Sequence, residues 1–392
     1  MRAAPAPVES SRLRVAIIGG GVAGLACALA LRARGCVVRV HDGSPDGGGV
    51  SSKAAGMLGL SFEAAGDPEE IELFALARQS ADLWPDFAER VERLSGSAIG
   101  YEPTGTIVCA RSDHEALAIE TLAEACREQF LPIQRLSRAE LSQIEPAVTG
   151  DVKAAVLLPT DGQVDPPLLM AALVRALERA GGEIDFRERV GSITCGAHFM
   201  TPDGRTWDRV VLATGASQDL PLFQSADGAE LHPGIGAILP VKGQMLALQA
   251  GIGAPGRVVR VGSVYVAPKA RWTLVGATLE PGLSDETTNR ERLDELRETA
   301  CSLLGGLSLA REVDSWAGIR PGTPDGLPML GESAIPGVFA ALGLYRNGML
   351  LAPAVGEMIA EAVTDGNLKP WASRFSPRRF DKTVAAAQSP RT

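Results

Sequence analysis

The stretch Arg14-Val-Ala-Ile-Ile-Gly-Gly-Gly-Val-Ala-Gly-Leu-Ala26 decides the fold. Val15, Ile17 and Ile18 predict a buried strand. Gly19, Gly21 and Gly24 occupy the three glycine places of G-x-G-x-x-G, and each place has its own demand. Gly19 allows a tight turn out of the strand, Gly21 an unobstructed approach of backbone to a pyrophosphate, and Gly24 close packing of helix on strand. A helix starting near Val22 turns its free N–H groups and the positive end of its dipole toward that phosphate. Ala28 and Leu31 give this helix an apolar face, Gly35 stops it, and Val38 and Val40 alternate as a second strand. Asp42 ends that strand, where a carboxylate accepts hydrogen bonds from ribose hydroxyls. Val15–Leu31 is uncharged and close to membrane-spanning length, but its glycines and the immediate βαβ continuation favour a dinucleotide-binding unit.

The chain has 392 residues, enough for two domains or one large α/β fold. It is 45% hydrophobic and 22% charged, an ordinary soluble composition. A net charge of −9 gives no reason to expect nucleic acid or an anionic membrane as partner. Met1–Ser11 is rich in Ala and Pro and has no continuous apolar core, so it does not read as a signal peptide. The six cysteines (Cys27, Cys36, Cys109, Cys126, Cys195, Cys301) and four histidines (His41, His114, His198, His232) are scattered, with no C-x-x-C. That spacing argues against a metal site and a disulfide framework, and for a reducing, cytoplasmic setting. Each cysteine reads as a small core residue.

Beyond Asp42, a Gly-rich loop from Gly43 runs into the small residues Ala54, Ala55 and Gly56, which suit either a surface loop or close approach to a ligand. Asp67-Pro68 reads as a helix start, followed by Leu73, Leu76, Leu83 and Trp84 at mixed helical spacings. Thr104–Ala110 predicts a strand, and Asp113–Gln129 an amphipathic helix with Leu117, Ile119, Leu122 and Cys126 as its apolar residues. Ser137 and Glu140 form a capping box, and Asp165-Pro166-Pro167 opens a helix closed by Gly181-Gly182. Ile184–Phe186, Ser192–Met200 and Trp207–Ala213 read as strands. The last of these runs into Thr214-Gly215-Ala216, either a plain turn or a second nucleotide contact at a strand's carboxyl end. Leu239–Leu248, Ser263–Ala267 and Thr273–Ala277 are further strands, and Ser284–Leu304 a charged helix. A run of strands inside a βα chain suggests a sheet-rich insertion. Glu312–Trp316 predicts a strand leading into a Gly/Pro-rich turn that carries Arg320. There a guanidinium either clamps a ligand carboxylate or makes a structural salt bridge. Gly337–Gly343 reads as a strand. The helix after it starts near Gly348, has Pro353 in its first turns, ends by Gly366, and forms another anion-binding N-terminus.

Taken together, these segments resemble the flavin-dependent D-amino acid oxidase superfamily, in its glycine oxidase branch. The resemblance is carried by the opening glycine motif, Ser52-Lys-Ala-Ala-Gly-Met-Leu, Leu239-Pro-Val-Lys-Gly and Tyr265-Val-Ala-Pro-Lys. Further on it is carried by Val275-Gly-Ala-Thr, Trp316-Ala-Gly-Ile-Arg-Pro-Gly-Thr and Arg346-Asn-Gly-Met-Leu-Leu-Ala-Pro-Ala. It implies an α/β fold, a Rossmann-type FAD-binding domain (13–85, 150–225 and 316–372) with an inserted sheet-rich α+β substrate domain (86–149 and 226–315), between flexible termini at 1–12 and 373–392. It implies FAD, held non-covalently, since no cysteine follows Cys301 to take a flavin linkage. Beside the glycine motif (Gly19, Gly21, Val22, Ala23, Gly24), the FAD-binding residues it implies are Asp42, Gly43, Val50, Ser51, Ala55, Gly56, Met57, Val190 and Gly215. They continue through Leu344, Tyr345, Arg346, Asn347, Gly348, Met349 and Leu350. Arg320 would hold the substrate carboxylate and Tyr265 would border the pocket. Asp42 stands where Glu is commoner, and Tyr345 departs from the family pattern at a place that bears on substrate preference.

The implied activity is oxidation of glycine, sarcosine and small D-amino acids to the 2-oxo acid, ammonia and hydrogen peroxide, with dioxygen as acceptor. The implied biological role is supply of the imine of glycine to thiazole synthase for thiamine. A homotetramer is expected. A dehydrogenase passing electrons to a quinone or carrier, a silent FAD-binding scaffold and a nicotinamide dehydrogenase remain alternatives.

Overall fold

Val15 to Ile18 are buried in the strand Arg14–Ile18, which runs parallel between Val37–His41 and Arg209–Leu212. A computed structural model of the chain describes residues 12–44, 49–63, 71–187, 189–217, 219–366 and 370–380. The central strand belongs to a six-stranded sheet. Its order is Met329–Glu332, Val338–Leu342, Arg209–Leu212, Arg14–Ile18, Val37–His41 and Glu183–Asp185, parallel except for the first pair. Because successive strand side chains point to opposite faces, Val15 and Ile17 enter one core and Ala16 and Ile18 another. The first core is filled by the helices Val22–Ala33, Ile71–Ser95, Pro166–Arg179 and Gly348–Asp365. The second is closed by a small five-stranded sheet through Ile193, Phe199, Trp207 and Phe223.

A separate nine-stranded sheet contains Leu239–Gln249, Val258–Val261, Val264–Pro268, Trp272–Gly276 and Glu312–Gly322, with Thr106–Ala110 and Ala154–Leu158 beyond them. The helix Arg290–Leu303 covers one face through Leu293, Leu296 and Ala300. The other face presents Met245, Tyr265 and Ala267 toward Ala55 of the glycine-rich half. Among the described residues, no helix is long and apolar enough to cross a membrane.

Several expectations change. Arg320 does not sit in a turn: the strand Glu312–Gly322 continues through it, paired with Leu239–Gln249 in unbroken register from Asp314 to Gly322 and shifted by a bulge at Val313. Pro240 and Pro321 oppose each other in that pairing, so the two missing donors fall on one rung and the ladder survives them. The charged helix starts at Arg290 behind an Asn289 cap, later than Ser284. Ser192–Met200 is a hairpin of two short strands. Leu117 is 66% exposed, so the buried stripe of its helix is Ile119, Leu122 and Cys126. Pro353 lies deeper in its helix than the unbonded first positions. Expected boundaries after residue 85 and at 316 fall inside the helix Ile71–Ser95 and the strand Glu312–Gly322. Ala372 and Phe375 are fully buried, so the chain packs beyond 373, where flexibility was expected. The helix start at Asp67-Pro68 lies outside the described residues.

Candidate cofactor and substrate site

The opening glycines form a cradle with no room for a side chain. Gly19 has φ +113°, and a Cβ there would stand 2.2 Å from the Ala213 carbonyl oxygen; a Cβ on Gly24 would stand 2.0 Å from the Gly19 oxygen. The strand ends are thereby locked together, with Gly19 donating to His41 and Ala213 donating to Ile18, both at 2.8 Å. Asp42 accepts from the Gly20 N–H at 2.5 Å through one oxygen and from the Ser44 N–H at 2.7 Å through the other. The helix Val22–Ala33 begins at Gly21 without a side-chain cap among the described residues, and the helix Gly348–Asp365 likewise. Both N-termini open onto one cavity of about 550 Å³. The Thr214 hydroxyl, at the end of the neighbouring strand, is buried with no hydrogen-bond partner among the described residues. Two helix N-termini, an orphaned hydroxyl and a glycine cradle fit an anionic dinucleotide such as FAD.

The opposite wall is one face of the nine-stranded sheet, and its strand register assembles it. Arg260 opposes Tyr265, Tyr265 opposes Gly276, Gly276 opposes Met245, and Met245 opposes Trp316. Directly opposed residues share a face, and the two-residue period brings Gly243, Gly318 and Arg320 onto it as well. Glycines hollow this surface so that long side chains lie flat. A Cβ on Gly276 would be 2.6 Å from the Tyr265 hydroxyl, and one on Gly243 would be 2.4 Å from the Arg320 guanidinium. Arg320 Nη1 donates to the carbonyls of Thr278 at 3.2 Å and Lys242 at 3.4 Å. Among the described residues it forms no ion pair with a carboxylate. Among the described residues, the Tyr265 O–H has the Met245 sulfur as its hydrogen-bond partner, at 3.5 Å. Burial raises this phenol above its ordinary value, against the pull of Arg320 and Arg260. The segment Gly49–Met57 closes the cavity between the two halves. Trp316 Nε1 donates to the Lys53 carbonyl at 2.9 Å, and Ser51 Oγ accepts from the Val22 N–H at 3.1 Å.

The cavity therefore gathers most of the expected residues: Gly21, Val22, Ala23, Val50, Ser51, Ala55, Gly56, Met57, Gly215, Tyr265 and Arg320 line it. Leu344, Tyr345, Arg346, Gly348 and Met349 line it as well. Gly19, Gly24, Asp42, Gly43, Val190, Asn347 and Leu350 stand outside that lining. Gly19, Gly24 and Asp42 shape the cradle from behind, and Leu350 is buried in the helix core. Tyr345, where glycine is absent, adopts φ +49°. Lining residues that the expected set lacks include Phe62, Gly243, Met245, Arg260 and Thr278. Arg260 follows only from the register of a strand, Val258–Val261, that periodicity did not single out. Two ion pairs beside the cavity were equally invisible. Lys53 meets Glu286 at 2.7 Å, and Lys242 meets Asp285 at 2.6 Å, where the Lys242 and Thr287 hydrogen bonds push the carboxyl down to about 2. Cys27, Cys36, Cys109 and Cys126 are core residues, and burial pushes the Cys27 and Cys109 thiols up to about 12, whereas Cys195 and Cys301, expected in the core as well, are only half-buried. Among the described residues no group of three His, Cys, Asp or Glu side chains gathers as metal ligands would.

Residues 14–362 match the DAO family, described as FAD dependent oxidoreductase. The chain is 34% identical to glycine oxidase of Geobacillus kaustophilus (strain HTA426) over 360 residues, 90% of this chain and 93% of that protein. It is 31% identical over 387 residues to the bifunctional protein ThiO/ThiG of Synechocystis sp., covering 94% of this chain and 54% of that longer protein. The crystal structure of glycine oxidase from Geobacillus kaustophilus superposes with a TM-score of 0.82 at 33% identity, over 94% of this chain and 99% of that one. A cradle shaped for a dinucleotide, and a family match that runs through both of its halves, lead to one conclusion: the chain belongs to the DAO family of FAD-dependent oxidoreductases, with FAD as its cofactor.

Proposed function

We propose that this protein oxidises the Cα–N bond of glycine and similarly small amines, including sarcosine and small D-amino acids, and passes the electrons to dioxygen. Water hydrolyses the imine to the 2-oxo acid and the amine, ammonia from glycine or a D-amino acid and methylamine from sarcosine, and dioxygen leaves as hydrogen peroxide. The observation that carries this is the placement of the Arg320 guanidinium and the Tyr265 hydroxyl on the wall facing the two helix N-termini. A guanidinium held by two carbonyl oxygens keeps donors for an incoming carboxylate, and the phenol adds another. Fixing the carboxylate aims Cα across the cavity, an orientation effect. When bound, FAD supplies the electron acceptor, so no protein base is required of the lining, which contains no histidine among the described residues. The helix end at Gly348 favours negative charge that develops beside it.

FAD is held non-covalently in this proposal by the segments 19–24, 42–43, 50–57, 190, 215 and 344–350. The six-stranded sheet and its helices carry the cofactor, and the nine-stranded sheet carries the substrate, which redraws the boundaries expected at 85, 150 and 316. Similarity to a protein that joins ThiO to ThiG supports delivery of the glycine imine to thiazole synthesis. Six unbonded thiols suit the cytoplasm.

Purified protein given glycine or sarcosine should bleach anaerobically and release peroxide in air. Bleaching without peroxide would move the assignment to a dehydrogenase with another acceptor. Arg320→Ala should lose about 2–4 kcal/mol of transition-state stabilisation in kcat/KM. Retention of activity within threefold would remove Arg320 from the assignment.

A further inference from the structure

Lys269 joins the two walls of the cavity from outside its lining. It stands at the turn between the strands Val264–Pro268 and Trp272–Gly276, where its backbone N–H donates to the Trp272 carbonyl at 2.8 Å. The first of those strands carries Tyr265. The lysine side chain crosses from this sheet to the segment that leads into the helix Pro166–Arg179. Its Nζ donates to Gln163 Oε1 at 2.7 Å and to the Val164 carbonyl at 2.8 Å. Both acceptors are fixed from behind. Gln163 Nε2 donates to Glu102 at 2.7 Å, which leaves the amide oxygen for the lysine. Val164, fully buried, donates its N–H to the Gly56 carbonyl at 2.8 Å, and Gln163 pairs with Met57 across a two-stranded ribbon. Gly56 and Met57 line the cavity. Gly56 has φ +76°, and a Cβ there would stand 2.1 Å from the Val164 carbonyl oxygen, so the lysine's acceptor is also the surface on which Gly56 rests. Burial pushes the Lys269 ammonium down to about 8, against the pull of Asp165 and Glu102. Among the described residues, these two carboxylates are the charged groups that act on it, Asp165 as the cap of the helix Pro166–Arg179 and Glu102 through its bridge to Gln163. Because the folded-state value lies below that of a free lysine, the charged form costs stability below about pH 8, and the cost is relieved as pH rises. An ammonium retained at such a cost is typical of functional sites.

We propose that Lys269 is a positioning residue: by holding Gln163 and Val164 it sets the spacing between the wall that carries Tyr265 and Arg320 and the segment 56–58 that borders FAD. This rests on the oxidase reading above and adds to it a residue outside the cavity. One half of the chain grips the cofactor and the other the substrate, so the gap between them decides how Cα stands to the flavin. Loss of the ammonium lets the Val164 carbonyl move, and Gly56 moves with it. Such a shift misplaces bound substrate more than it weakens binding, so the loss falls on kcat rather than KM.

Lys269→Met keeps the aliphatic stem and removes the donors. In that variant kcat for glycine should fall by about tenfold or more, with KM changed by less than about threefold. Flavin released on dilution of the holoenzyme, read by its fluorescence, should report a Kd for FAD raised by about threefold or more. Lys269→Arg, which keeps charged donors, should recover most of both losses. A lower melting temperature in Lys269→Met with kcat and flavin Kd both within about threefold of wild type would make Lys269 a structural residue and overturn the inference. A loss of activity carried by KM alone, or an Arg variant no better than the Met one, overturns it as well. The wild-type holoenzyme supplies a measurement that needs no variant. Its flavin Kd should rise by about threefold between about pH 7 and about pH 9, as the Lys269 proton is lost near 8. A Kd flat across that range overturns the inference even where Lys269→Met does not fold. The flavin measurements do not depend on which amine is oxidised. Absence of glycine turnover beside a Kd that responds to pH and to Lys269 would therefore overturn the oxidase reading and leave the positioning role standing.

Discussion

Gly243 decides where Arg320 can lie. The guanidinium rests where the Cβ of any other residue would be, with Nη1 and Nη2 both 2.4 Å from that position. The obstructed atoms are the end of a flexible side chain, so Gly243→Ala should shift Arg320 without disrupting the strand. The expected outcome is a fall of about tenfold or more in kcat/KM for glycine, carried mainly by KM, with the unfolding midpoint in urea nearly unchanged. Steady-state kinetics beside a denaturation curve reads both. Equal loss of stability and activity would mean that Gly243 serves the fold rather than the guanidinium. Individual residues were legible in the sequence where a backbone demand is local. Gly19 and Gly24 declare the tight turn and close packing by their spacing, whereas the bonds of Asp42 to the Gly20 and Ser44 N–H groups were not read from its position after the second strand. Arg260, Phe62 and Gly243 were not legible, because their roles arise from which strand lies beside which.

At the scale of elements, composition misled where pairing overrode it. Pro321 and Gly322 suggested a turn, yet the segment is strand, because Leu239–Gln249 supplies a partner from Asp314 to Gly322. Helices announced by caps were placed well: Ser137 with Glu140, and Asp165 before Pro166, form as expected. The helix Gly348–Asp365 carries a less visible adjustment. Pro353 cannot donate and crowds the preceding turn. Side chains of the helix Ile71–Ser95 serve the backbone around it. Trp84 Nε1 donates to the Leu350 carbonyl at 3.0 Å, and Ser80 Oγ accepts from the Ala354 N–H at 3.2 Å. Both side chains are buried, so removing either leaves a backbone group without that partner and away from water. Ser80→Ala and Trp84→Phe should each cost about 1–3 kcal/mol in unfolding free energy. Since the N-terminus of this helix opens on the cavity, FAD affinity should weaken with them. Chemical denaturation and flavin fluorescence titration would register the two effects; loss of stability below about 0.5 kcal/mol would show that the helix repairs itself internally.

Over the whole molecule, the cavity joins segments from opposite ends of the chain. Residues 21–23 and 344–349 meet across it, and the helices that follow them pack so closely that a Cβ on Gly356 would stand 2.9 Å from the Ala26 backbone. The parallel sheet supplies the reason, since Arg209–Leu212 lies between Arg14–Ile18 and Val338–Leu342 and brings the late segment beside the early one. That order could not be counted from strands alone, whereas two glycine-rich strand-to-helix junctions could. A ligand that touches both ends favours the folded chain and has no comparable partner in the unfolded one. Its contribution is therefore RT ln(1 + [FAD]/Kd), about 2.7 kcal/mol at one hundred times Kd. Protein stripped of flavin should melt several degrees lower than the holoenzyme, and its midpoint should climb with the logarithm of added FAD. Gly19→Ala, which drives a methyl group into the Ala213 carbonyl at 2.2 Å, should lower the starting midpoint and flatten the climb together, because one collision opens both the sheet and the cradle. A midpoint indifferent to FAD in the wild-type protein would sever the cofactor from the fold and leave the glycine cradle without an occupant.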